Sequence, residues 1–219
     1  MDKFLSILKV RTRTGIFYGF VLLSVFYALP AYYFTALLAL CLGWILIVEW
    51  PVLCQRVNYL WLLTPFYPVL PFLALMFLNQ TLAVHGYLGM LIIATFVHDT
   101  GAYLGGNLFG RHLLCPSISP RKTWEGFFAG MASCGIVLWL FLRNQPISLV
   151  GILGLTVAVS VILVLGDLFE SKLKRLAVVK DTGTLLPGHG GLLDRFDSLL
   201  FIGLASAGVI LSNCLLALK

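Results

Sequence analysis

LVGILGLTVAVSVILVLG, residues 149–166, runs eighteen residues without a charge and then gives way to DLFESKLK, residues 167–174. Wound as a helix, the apolar part is ~27 Å long, close to the ~30 Å hydrocarbon thickness of a bilayer. Six further apolar stretches of similar length lie at about 15–29, 31–48, 59–78, 82–98, 124–142 and 196–217. The first two are separated only by Pro30 and could equally be one broken hairpin or a re-entrant pair. None alternates with period two, so helices rather than a barrel satisfy the backbone at membrane depth. Of 219 residues, 60% are hydrophobic and 11% charged, against roughly 45–50% and 25% in a soluble domain. The expected fold is all-α: one polytopic membrane domain over residues 1–219, with about seven transmembrane helices and two polar loops at about 99–123 and 167–195.

Seven spans make a statement about charge. With a cytoplasmic N-terminus, thirteen of the fifteen basic residues fall inside, leaving only Arg143 and Lys219 outside. That is the usual orientation signal. All nine acids gather on the inner side as well, although acids do not normally set orientation, so they need another reason. The net charge of +6 favours anionic partners such as headgroups or nucleotide phosphates. Cys41, Cys54, Cys115, Cys134 and Cys214 are scattered and show no CxxC pairing, which supports neither a disulfide framework nor a zinc knuckle. The first 14 residues are basic but lack a small-residue cleavage site, so the first span is expected to be retained.

The acids concentrate where the chemistry would be. Asp167, Glu170, Ser171 and Lys174 follow one another at helical spacing, so on a continuing helix they share one face. An ordinary interfacial helix meeting headgroups would explain that stretch equally well. Further on, Pro187-Gly188-His189-Gly190-Gly191 forms a donor-rich turn able to approach a phosphate, and Asp194 and Asp197 then share one side of a helix's first turn. Two hard oxygen donors beside such a turn suit Mg²⁺. Capping and dipole compensation would account for the acids, but not for His189, the paired glycines, Lys180-Asp181 and Arg195 beside them.

The run S171-x-L-K-R-x4-K-D-x-G-x2-L-P-x-H-G-G-L-x-D-R-F-D197 resembles the signature of phosphatidate cytidylyltransferases, also called CDP-diacylglycerol synthases. The upstream loop, with Asp99, Tyr103, Asn107 and Ser119-Pro-Arg121-Lys122-Thr123-Trp-Glu125-Gly, is similar to the same family, so the resemblance covers a catalytic core of about 90–205. Glu49-Trp50 matches a family feature more loosely, and the chain is short for the family. Read locally, Ser119 before Pro120 is a plausible N-cap, and a helix starting there would present amides beside Arg121 and Lys122 as an anion site. The glycines at 101, 105, 106, 110, 126 and 130 fit close helix packing. His98, Asp99, His112 and Cys115 match no standard zinc spacing and read better as hydrogen-bonding groups. His85 reads as structural.

The resemblance implies that the phosphate of phosphatidic acid attacks the α-phosphorus of CTP, giving CDP-diacylglycerol and pyrophosphate. Asp167, Asp194 and Asp197 are then the expected Mg²⁺ ligands, with a second cation such as K⁺ left open. Lys122, Lys174, Arg175, Lys180 and Arg195 would hold phosphates, and the turn Gly188, His189, Gly190 and Gly191 would cradle one. Ser171, Asp181 and the 99–107 loop would place ribose, cytosine or lipid, with Ser119, Arg121, Thr123 and Glu125 as further substrate contacts. The resemblance also implies a homodimer in a bacterial inner membrane with a cytoplasmic site. Two other readings compete: a CTP-dependent lipid kinase of the dolichol-kinase type, and an ion or anion transporter. A transport pathway should carry ionisable groups through the membrane midplane, whereas here they gather at one face.

Overall fold

The computed structural model describes residues 19–81, 85–185 and 190–217, the last three as backbone only. Among these, six helices are long and apolar enough to cross a membrane. They are α2 (Ala31–Cys54), α3 (Leu60–Gln80), α4 (His85–Phe109), α5 (Trp124–Leu142), α6 (Leu149–Leu176) and α7 (Leu193–Ala217). A shorter apolar helix, α1 (Gly19–Ala28), precedes them. The seven expected spans thus become six of full length plus α1; residues 15–18 and 82–84 of the expected spans lie outside the described residues. Pro30 does separate α1 from α2, standing at the N-cap of α2 with φ −52° and ψ 145°.

The helices also run further than their apolar stretches. α4 continues through Asp99–Phe109 and α6 through Asp167–Leu176, turning much of both expected polar loops into helix. At 28 residues α6 is ~42 Å long, so it outruns the hydrocarbon slab and carries its polar turns to the interface. What remains of the first loop is a small antiparallel hairpin, β1 (Leu113–Cys115) with β2 (Ser119–Thr123). The helix start expected at Ser119 is therefore displaced. Ser119-Pro120 is strand, and Thr123 is the N-cap of α5, its Oγ1 accepting from Gly126 N at 3.1 Å. Ser148 caps α6 in the same way.

α6 shows why the bundle is a membrane object. Ile152, Thr156, Val159, Leu163, Gly166 and Glu170 face the interior, while Leu149, Leu153, Val157, Val161 and Leu165 on the opposite face are 40–62% exposed. A helix apolar on its outer face as well needs lipid there. The interior is filled by Phe26, Phe34, Leu38, Trp50, Phe72, Leu75, Phe196 and Leu200. α4 and α5 pack most extensively: a Cβ at Gly126 would lie 2.7 Å from Ala102 O and one at Gly130 2.8 Å from His98 O. The close-packing role expected of these glycines is the one they have.

Two irregularities steer the chain. A π-turn at Ile45–Glu49 interrupts α2, and α3 is kinked where Pro65 and Pro68 remove backbone donors, leaving Tyr67 at φ −155°, ψ 124°. α6 ends in a Schellman motif: Val179 N donates to Lys174 O at 2.9 Å and Val178 N to Arg175 O at 3.1 Å, with Val178 at φ 55°.

Candidate active site

The C-terminal halves of α4 and α6 and the N-terminal turns of α5 and α7 meet at one end of the bundle, with β2 beside them. They surround an open cavity of about 940 Å³. α4 contributes Asp99, Tyr103 and Asn107; β2 contributes Arg121, Lys122 and Thr123; α6 contributes Asp167 and Lys174; α7 contributes Asp194, Arg195 and Asp197. Four cationic and four carboxylate side chains thus face one volume. Residues from 99 to 197, expected to work together, are brought together by the four helix ends.

Each charge has a distinct environment. Lys122 Nζ pairs with Asp167 Oδ2, and Ser171 Oγ donates to Asp167 Oδ1 at 3.3 Å, one turn on. Lys174 Nζ bridges Glu170 Oε2 at 2.9 Å and Asp194 Oδ1 at 2.7 Å. Asp194 Oδ2 accepts from Gly191 N at 2.8 Å, Thr182 N at 3.0 Å and Thr182 Oγ1 at 3.1 Å. The Gly191 bond ties the chain just before α7 to the helix's first turn. Both Asp194 oxygens are thus bonded to protein donors, as both Asp167 oxygens are. Asp197 is different: its Oδ1 accepts only from the adjacent Ser198 N at 2.7 Å, and no Lys or Arg nitrogen lies within 4.0 Å of it among the described residues. Asp99 has His98 Nδ1 at 3.3 Å as its hydrogen-bonding neighbour. Arg195 Nε is buried with no hydrogen-bond partner among the described residues.

Other expected site residues lie around this centre. Arg175 Nε donates to Ile118 O at 3.1 Å, tying the hairpin to α6. Glu125 accepts from the backbone N–H groups of Arg111 (3.1 Å) and His112 (3.2 Å) and from His112 Nδ1 (2.6 Å), which anchors the chain leaving α4. The hydrogen-bonding role expected for His112 is thus met. Ser119 is in β2, and Lys180 and Asp181 are exposed on the segment after α6. Gly190 is left-handed, φ +87°, a conformation that favours glycine, and packs against Asp194 and Asp181. Gly188 and His189 lie outside the described residues.

Glu49 and Thr182 play parts that local sequence did not reveal. Glu49 is 1% exposed. Its carboxylate accepts from Leu192 N (2.6 Å), Leu193 N (2.8 Å), Thr182 Oγ1 (3.1 Å) and Trp44 Nε1 (3.3 Å). The signal available was an acid closing an apolar span, which demands a partner without naming one.

Among the described residues, no three His, Cys, Asp or Glu side chains form a metal-binding group by themselves. The donors present are carboxylate oxygens around space open to a ligand, which matches a hard cation completed by substrate oxygens.

The model of the cytidylyltransferase family matches residues 5–212. The phosphatidate cytidylyltransferase of Staphylococcus haemolyticus (strain JCSC1435) is 45% identical over 118 residues, 53% of this chain and 45% of that protein. The proteins of the same name from Staphylococcus epidermidis (strain ATCC 12228 / FDA PCI 1200) and Staphylococcus aureus (strain COL) are 44% identical over 119 residues, with the same shares. The chain thus spans less than half the length of these relatives. With a family match running almost from end to end and the polar signature gathered at one end of an apolar helical bundle, the chain belongs to the cytidylyltransferase family.

Proposed function

We propose that this integral membrane protein transfers CMP from CTP to phosphatidic acid, releasing CDP-diacylglycerol and pyrophosphate. The observation that carries the reading is the single cavity in which Arg121, Lys122, Lys174 and Arg195 share space with Asp99, Asp167 and Asp197. A phosphatidate oxygen forms a bond to the α-phosphorus as the α–β bridging P–O bond breaks, and the electron pair leaves with pyrophosphate. The nucleophile is already an anion, so the protein's task is positioning and charge neutralisation.

Asp167 and Asp197 are the carboxylates best placed to hold Mg²⁺, with Asp99 near enough to act electrostatically on Asp197. When bound, Mg²⁺ would neutralise nucleotide phosphate oxygens as charge moves to the leaving group. Asp194, expected as a third ligand, also braces the turn and holds Lys174. Arg195, whose Nε has no hydrogen-bond partner among the described residues, and Lys122 receive phosphate. Tyr103 and Asn107, across the cavity on α4, face the nucleoside or glycerol part. Arg121 reaches the same volume from the hairpin, which Arg175 fastens to α6.

The acyl chains stay in lipid and CTP comes from water, so a cavity at the end of a bundle suits both. Arg143 lies in the turn between α5 and α6, away from the site, while Arg56, Arg111, Lys172 and Lys180 lie toward it. The positive-inside rule then makes the site side cytoplasmic, in a bacterial inner membrane. A homodimer belongs to the same proposal.

Purified protein supplied with phosphatidic acid, Mg²⁺ and CTP labelled at the α- or γ-phosphorus tests this. The α-label should enter lipid and the γ-label pyrophosphate. A γ-label in lipid would mean a kinase, and ion flux in proteoliposomes without CTP turnover would mean a transporter.

A further inference from the structure

The carboxylate of Glu49 sits in the backbone rather than in the cavity. It is buried, has no Lys or Arg nitrogen within 4.0 Å among the described residues, and is surrounded by donors from a part of the chain more than 130 residues away. Two of those donors are the N–H groups of Leu192 and Leu193 at the start of α7. These belong to the free donors every helix carries at its N-terminus, and an anion there is favoured by the helix dipole. The fit is close: a Cβ at Gly183 would lie 3.0 Å from Glu49 Oε1, and one at Gly191 2.7 Å from Oε2. The π-turn ending at Glu49 places the side chain in this slot, an irregularity often found where function needs it. Thr182 Oγ1 stands 3.1 Å from both Glu49 Oε2 and Asp194 Oδ2. Its single proton serves either carboxylate, which links the Glu49 anchor to the brace that holds Lys174.

We infer that Glu49 is a positioning residue: by capping α7 from α2, it sets the helical turn on which Arg195 and Asp197 stand. It is absent from the cavity lining, so it acts through those residues and touches no substrate. The inference rests on the transfer reading for its catalytic consequence, although the anchor itself does not. Gln at position 49 keeps the volume but turns an NH₂ toward one of the two backbone donors.

The test compares wild type, Glu49→Gln and Thr182→Val in detergent. Hydrogen exchange of the metal-free protein should show the amides of Leu192 and Leu193 opening at least about tenfold faster in Glu49→Gln. In turnover, the Mg²⁺ concentration for half-maximal rate should rise by about 10–100-fold, the range for residues that orient ligands, with KM for phosphatidic acid within about twofold of wild type. Thr182→Val should move both readouts the same way by less, and it decides the matter if Glu49→Gln fails to fold. Unchanged exchange, or an unchanged Mg²⁺ requirement with only less folded protein, overturns the inference. A wild type inactive with CTP overturns the transfer reading, while the exchange result still judges the anchor.

Discussion

Replacing Lys174 with methionine should cost about 3–5 kcal/mol of stability, the penalty for breaking a buried ion pair by removing one partner. Lys174 serves two carboxylates, with side-chain exposures of 0% for Glu170 and 3% for Asp194. No other Lys or Arg nitrogen among the described residues lies within 4.0 Å of either. The loss is unequal. Asp194 keeps the donors from Gly191 and Thr182, but Glu170 Oε1 already lacks a partner among the described residues and Oε2 would lose the ammonium. Most of the cost therefore sits on Glu170, and Glu170→Gln in the Lys174→Met background should recover part of it. Glu170→Gln alone should cost about 1–3 kcal/mol. The double variant should then be less damaged than the sum of the single variants by more than Glu170→Gln alone costs, up to about 3 kcal/mol. Equilibrium unfolding in mixed micelles of mild detergent and SDS, followed by helix content, gives all four corners of the cycle. Additivity within about 0.5 kcal/mol would refute the assignment of Lys174 as the shared counter-ion.

Val178, 88% exposed at φ 55°, is a β-branched residue in a left-handed position that costs roughly 1–2 kcal/mol. Glycine there should raise stability by about 1 kcal/mol after its chain entropy is counted, and an unchanged or lower melting temperature would count against the Schellman reading. A Cβ at Gly166 would lie 2.8 Å from Asp197 O and 3.0 Å from Phe201 Cβ. Gly166→Ala should therefore push α6 from α7, cost about 1–3 kcal/mol and depress CTP turnover, whereas Gly154→Ala, with nothing within 4 Å, should do neither. Asp197→Asn removes no ion pair, so it should abolish Mg²⁺-dependent turnover while leaving the melting temperature within a few degrees; near-normal activity would remove Asp197 from the metal site.

Features that depend on spacing along one helix were legible. Asp167 and Ser171 share a face because they are four apart on α6, and their hydrogen bond follows. The same logic went only halfway for Asp194 and Asp197. They do share the first turn of α7, but Thr182, twelve residues before Asp194, gives one of them a structural task that a spacing of three cannot reveal. Ser119-Pro120 carried every local mark of a helix start and became a strand because Leu113–Cys115 pairs with it. That is a tertiary override of a cap signal, and Thr123 took the cap instead. Polar loops were expected wherever charges began, yet α4 and α6 continue through them. A helix does not end where its surroundings become wet, and Asp99, Asp167 and Lys174 lie on the face turned into the cavity.

The partnership between Glu49 and the start of α7 also has a history in time. Leu192 and Leu193 are 143 and 144 residues away along the chain, so at roughly 5–20 residues per second of synthesis the acid waits roughly 7–30 s for its donors. Through that interval the growing chain holds a carboxylate at the end of an apolar helix with Trp44 Nε1 as its one local donor among the described residues. Arrival of α7 closes the slot and builds the cavity in one event, so a chain stalled before that helix has neither.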